Sequence, residues 1–107
     1  SRPALVLKVS DSAHEVMVVY GTSQKTERLY PTEFLIRDSD PGFAVSGLAH
    51  DTKFDMAVTI DLSYDSDWFD LAPIKNGVVT TSPVMGTLHT MYLTAAGQAL
   101  KNVSNAA

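Results

Sequence analysis

Short apolar runs separated by polar breaks fill the first sixty residues, and they predict a β-rich fold. Ala4–Val9 is rich in Leu and Val and short enough to be a buried strand. Ser10-Asp11-Ser12 is a polar turn cluster, and the β-branched run Val16–Tyr20 follows it. The two runs are expected to pair as an antiparallel hairpin. Gly21-Thr22-Ser23-Gln24-Lys25-Thr26 ends the pattern with hydroxyl residues that favour side-chain-to-backbone bonds over a ladder. Pro31 marks a turn or an edge, and Glu33–Ile36 reads as a short strand. Asp38-Ser39-Asp40-Pro41-Gly42 is a turn signal, with a short strand expected around Phe43–Val45. The clearest pattern is Phe54–Leu62, where Phe54, Met56, Val58, Ile60 and Leu62 alternate with Asp55, Ala57, Thr59 and Asp61. That period of two predicts a half-buried strand. Ser63-Tyr64-Asp65-Ser66-Asp67 reads as a solvated loop, and Asn76-Gly77 as a hairpin turn before Val78-Val79.

The period changes after Ser82-Pro83. Leu88, Met91, Tyr92, Ala95, Ala96, Ala99, Leu100 and Val103 fall at spacings of three and four, which predicts a helix with one apolar stripe. Thr87 is the expected N-cap, and Lys101 the cation near the negative end. Gly97 weakens this helix modestly. The fold class is therefore mainly β with a C-terminal helix: five or six short strands in a small barrel or strongly bent antiparallel sheet. At 107 residues the chain is expected to be one domain, long enough to bury about two-thirds of its unfolded surface.

Composition narrows the chemistry. The absence of cysteine excludes disulfides, thiolate metal sites and cysteine nucleophiles, and it fits a cytoplasmic location. No apolar run approaches the roughly 20 residues of a spanning helix, so no membrane partner is expected. The net charge of −4 is unevenly spread. Residues 1–37 carry five basic and four acidic side chains, whereas residues 38–70 carry eight aspartates and only Lys53. Polyanion binding by the whole surface is disfavoured, leaving room for a small anion site in the first third.

Most constellations carry little. His14, His50 and His89 lack ligand spacing, and read as a strand start, a loop and the first helical turn. The acidic stretch Asp61–Asp70 lacks the Gly and Glu that an EF-hand loop requires, and Trp68-Phe69 beside it reads as a buried anchor. No Gly-x-Ser-x-Gly turn or phosphate-binding glycine loop is present. Asn102-Val103-Ser104 matches a glycosylation acceptor, which has no meaning without a secretory route. One pairing remains. A hairpin of residues 4–9 and 14–20 brings Arg2 and Thr22 to one end of a sheet. A planar guanidinium and a hydroxyl beside a turn suit the pentacovalent phosphate formed when an RNA 2′-hydroxyl attacks its own phosphodiester. A surface arginine and an ST-turn account for the same residues without any activity.

Three segments carry a resemblance. Arg2-Pro3-Ala4-Leu5-Val6-Leu7 and Val18-Val19-Tyr20-Gly21-Thr22-Ser23-Gln24 are followed by Gly47-Leu48 with Asp51-Thr52-Lys53-Phe54-Asp55, and then by Pro83, Gly86 and Leu88 before the helix. In this order they resemble the MazF/PemK-type toxins of bacterial toxin–antitoxin systems. The resemblance implies an SH3-like barrel, a homodimer, and metal-independent cleavage of single-stranded RNA with no cofactor. It also implies an antitoxin partner whose disordered tail crosses the active site. The family's catalytic Arg and Thr match Arg2 and Thr22. Ser23, Gln24 and Lys53 are weaker candidates for RNA contact. The family's usual first strand and mobile loop have no counterpart before Arg2, so an incomplete barrel is expected. The alternative function is a non-catalytic SH3-like binding module for a protein or small ligand.

Overall fold

The computed structural model describes residues 2–63 and 84–106. Strands β1 (Ala4–Ser10), β2 (Glu15–Thr22), β3 (Glu33–Ile36) and β4 (Thr52–Ser63) precede one helix, α1 (Leu93–Ala106). The strands form one curved antiparallel sheet, a half-barrel in the order β1-β2-β4-β3. The fold is thus mainly β with a C-terminal helix, as the apolar pattern implied. The hairpin of β1 and β2 pairs Ala4 with Tyr20 and Val9 with Val16. The expected strand near Val78-Val79, the Asn76-Gly77 turn, Trp68-Phe69 and most of the acidic loop lie outside the described residues.

β4 is the organising strand, because it pairs with β2 on one side and β3 on the other. Its alternation does not run unbroken. Between the pairs Val19–Thr59 and Gly21–Phe54, one residue of β2 lies opposite four of β4. Such a bulge bends the strand and changes which face each side chain takes. Asp55 holds the bulge, its Oδ1 accepting the Thr32 hydroxyl at 2.8 Å and the Ala57 N–H at 2.9 Å. Phe54 and Met56 consequently enter the main core, with Phe34, Ile36, Tyr92, Ala96 and Ala99. Leu62 instead joins Val16 and Val18 in a second cluster. Val58 and Ile60, assigned by alternation to the same half-buried stripe, are 58% and 36% exposed.

Two further expectations are corrected. Residues Ala44–Ser46 form a 3₁₀ turn rather than a strand at Phe43–Val45. The Asp38–Gly42 turns close directly into it, with the Phe43 N–H donating to the Asp40 carbonyl and Ser46 N–H to the Phe43 carbonyl. At the helix, the N-terminal cap is His89 rather than Thr87: its Nδ1 accepts the Met91 N–H at 2.9 Å and starts a 3₁₀ turn over Thr90–Tyr92. The helix runs on to Ala106, so Lys101 falls short of its last turn. The buried stripe is narrower than expected. Tyr92, Ala96 and Ala99 are buried and Val103 packs beside them, while Met91 and Leu100 are largely exposed.

Two polar ties seat the helix over β3. The Tyr92 hydroxyl donates to Asp40 Oδ2 at 2.9 Å, and Asn102 Nδ2 donates to the Pro31 carbonyl at 2.7 Å. Burial, the hydrogen bond to Asp40 and that carboxylate's charge together push Tyr92 up to about 12 from 10.0. Because the fold favours the neutral phenol, its stabilisation is complete below the unfolded value and is lost as pH rises from about 10 to about 12. Alkaline unfolding of the parent should show this loss, and Tyr92→Phe should flatten that limb. Gly97 lies in the middle of α1 with nothing near the position a Cβ would take. Gly97→Ala should therefore raise stability by about 0.5–1 kcal/mol, read as a higher urea midpoint.

Candidate functional site

The end of the β1–β2 hairpin builds a cationic corner. Gly21 N–H donates to the Pro3 carbonyl at 2.8 Å, extending the hairpin by one bond beyond Ala4 and Tyr20. Arg2 Nε then donates to the Gly21 carbonyl at 3.2 Å. Its guanidinium carbon lies 5.4 Å from the centroid of the Tyr20 ring. A cation over an aromatic face at this distance is attracted by the ring's negative face. Arg2 is thus held by a carbonyl and a ring, and its terminal Nη groups have no partner among the described residues.

Gly21 is required here for space. A Cβ at this position would sit 2.6 Å from Thr52 Cγ2 and 2.8 Å from Phe54 Cε1. The missing side chain lets β2 close onto the Phe54 end of β4. Thr22 follows, half-buried, with Oγ1 accepting the Gln24 N–H at 3.1 Å. That is the local side-chain-to-backbone bond that the hydroxyl-rich turn led us to expect. It occupies a lone pair and leaves the Thr22 O–H free to donate. Ser23 and Gln24 are exposed at the turn itself. Arg2, Thr22, Ser23 and Gln24 therefore come together around Gly21.

Lys53 does not join them as a surface cation. It pairs with Thr22 in the β2–β4 register, but its side chain is only 8% exposed and forms an ion pair with Glu33 Oε2 at 3.2 Å. Its ammonium also donates to the Arg28 carbonyl at 2.8 Å. This lysine anchors the loop between β2 and β3. Nothing in the spacing of Lys53 and Glu33 announces the pair; only the β3–β4 register brings them together. The Tyr20 ring was likewise missed, although the period of two places it on the same face as Thr22.

Other features are separate from this corner. Among the described residues no three His, Asp or Glu side chains converge on a point that could hold a metal ion. Among them, too, no helix is long and apolar enough to cross a membrane. His14 sits in the turn before β2 with a φ of 53°, and His50 in the loop before β4. A groove of about 470 Å³ lies between β3 and α1, and none of the corner residues lines it.

Removing one partner of a buried ion pair leaves an uncompensated charge. Lys53→Ala should therefore destabilise the fold by about 3–5 kcal/mol in chemical denaturation. A surface lysine of the kind first expected would cost less than about 0.5 kcal/mol, so the experiment separates the two placements. No protein-family model matches the chain, and no curated protein matches it.

Proposed function

We propose that the chain is a MazF/PemK-like toxin, an endoribonuclease that cleaves single-stranded RNA without a metal or other cofactor. The observation that carries this reading is the corner around Gly21, where an anchored guanidinium and a hydroxyl free to donate flank one residue. In the reaction, the RNA 2′-oxygen bonds to the adjacent phosphorus and the bond from phosphorus to the 5′-oxygen breaks. A proton leaves the 2′-oxygen and one arrives at the 5′-oxygen, giving a 2′,3′-cyclic phosphate and a 5′-hydroxyl. Negative charge builds on the non-bridging oxygens as the pentacovalent phosphate forms. Two Nη donors of Arg2 and the Thr22 O–H stabilise that charge, and Ser23 and Gln24 contact the neighbouring nucleotide. The same resemblance supplies the remaining partners, a second copy of the chain and an antitoxin peptide, while the absence of cysteine fits a cytoplasmic setting.

The second reading is a non-catalytic SH3-like binding module. The withdrawal of Lys53 into its ion pair favours it, since the corner loses one of its expected cations. Single-stranded RNA incubated with the purified chain in EDTA distinguishes the two. The ribonuclease reading expects cleavage with cyclic-phosphate ends, reduced about 10²–10³-fold in Arg2→Ala and in Thr22→Ala. Cleavage that survives intact in both variants would remove the corner from the chemistry. A folded chain that leaves the RNA whole would favour the binding module.

A further inference from the structure

With no cysteine in the chain, its four methionines carry the sulfur that a peroxide can oxidise. They are not equally placed. Met56 is buried in the main core, and Met17 and Met85 are half-buried. Met91 is 43% exposed, the one methionine at the surface. Its sulfur nevertheless has a structural task. The Gly42 N–H donates to Met91 Sδ at 3.2 Å, and Gly42 itself is buried.

A thioether is a weak acceptor, whereas a buried backbone N–H is a donor that needs a partner. The bond belongs to a joint between the Asp40–Gly42 turn and the start of the helix. One residue on, the Tyr92 hydroxyl donates to Asp40 Oδ2 at 2.9 Å. The Met91 N–H donates to His89 Nδ1 at 2.9 Å, which fixes the residue from its other side. The two segments meet without slack. A Cβ at Gly42 would lie 2.6 Å from both Cβ and Cγ of His89, and 2.8 Å from Met91 Sδ.

We propose that Met91 is an oxidation site and that its sulfoxide unlocks this joint. The oxidant is hydrogen peroxide. A sulfur lone pair attacks one peroxide oxygen, and the S–O bond forms as the O–O bond breaks. The departing oxygen takes the proton from the transferred one and leaves as water, so sulfur loses the electron pair that peroxide gains. The lone pair that reacts is the one the Gly42 N–H leaves free. The other then sits on an electron-poor sulfur and no longer accepts that N–H. The new oxygen is a strong acceptor, but turning it inward needs the space that His89 and Sδ already fill beside Gly42. The side chain becomes polar where it had been apolar, and the buried N–H loses its partner. Asp40 and Tyr92 line the groove between β3 and α1, so the opened joint loosens one of its walls. No residue of the Gly21 corner takes part, and the inference stands whether or not the chain cleaves RNA.

Treating the full chain with increasing hydrogen peroxide tests this, with peptide mapping by mass spectrometry and amide exchange by NMR as readouts. Met91 should take up oxygen before Met17, Met85 and Met56. Exchange of the Gly42 N–H should then quicken at least about tenfold, and the urea midpoint should fall. Methionine sulfoxide reductases acting on both epimers should restore the two properties. Met91→Leu should exchange fast at Gly42 before treatment and respond no further, while Met85→Leu should respond as the parent does. Oxygen taken up first by another methionine overturns the proposal. So does a Met91 sulfoxide that leaves Gly42 exchange unchanged, or a response that survives in Met91→Leu.

Discussion

The buried ammonium of Lys53 is the constraint around which the β-rich part of the structure is arranged. Taking a lysine out of water costs several kcal/mol unless its charge is matched and its donors are used. Here three elements supply what it needs. β4 carries the lysine, β3 provides the Glu33 carboxylate, and the loop from β2 provides the Arg28 carbonyl. Glu33 Oε1 also accepts the Tyr30 N–H, so the same carboxylate closes the turn that leads into β3. The candidate corner hangs from this arrangement. Its turn at Thr22–Gln24 is held on one side by the β2–β4 register and on the other by a loop pinned to Lys53.

The second constraint is the mismatch in length between β2 and β4. Four residues of β4 opposite one of β2 force a bulge, and the bulge divides the interior into two clusters on opposite faces. Asp55 makes this possible, since its carboxylate accepts the Ala57 N–H that the bulge takes out of the ladder and ties it to the Thr32 hydroxyl. Gly21 completes the geometry from the other strand by letting the backbones approach where Phe54 and Thr52 crowd in. Bulge and glycine act together: one bends β4, and the other makes room for the bend.

These facts explain what was legible in the amino-acid order and what was not. Strand existence came through wherever local pattern and tertiary burial agree, as at Glu33–Ile36 and in the β1–β2 hairpin. The alternation of Phe54–Leu62 located β4 but misassigned Val58 and Ile60, because a bulge leaves the period intact in sequence while reversing it in space. Thr87 lost the cap to His89 because a ring nitrogen two residues further on accepts the same class of N–H. At the candidate corner, hairpin geometry alone brought Arg2 near Thr22. The burial of Lys53 was not legible, since its partners lie 20 and 25 residues away and meet it only through a loop and a strand register.

Charge tells the same story at larger scale. The eight aspartates of residues 38–70 suggest a surface hostile to anions, yet several of them are structural acceptors. Asp40 serves the Tyr92 hydroxyl and the Arg37 N–H, Asp51 serves the Asp38 N–H, and Asp55 serves the bulge. Carboxylates that accept such bonds are held at fixed points, where their fields fall off within about a Debye length of 8–10 Å in salt. The potential at the corner therefore depends on local compensation and not on the total of −4. Lys53 is cancelled by Glu33, while Lys25 and Arg28 are exposed on the following loop. Arg2, aimed by a carbonyl and a ring, is left as the cation whose position the fold itself determines. Among the described residues the corner holds no second fixed cation, so under the ribonuclease reading its chemistry would rest on the ring and the carbonyl that hold Arg2 in place.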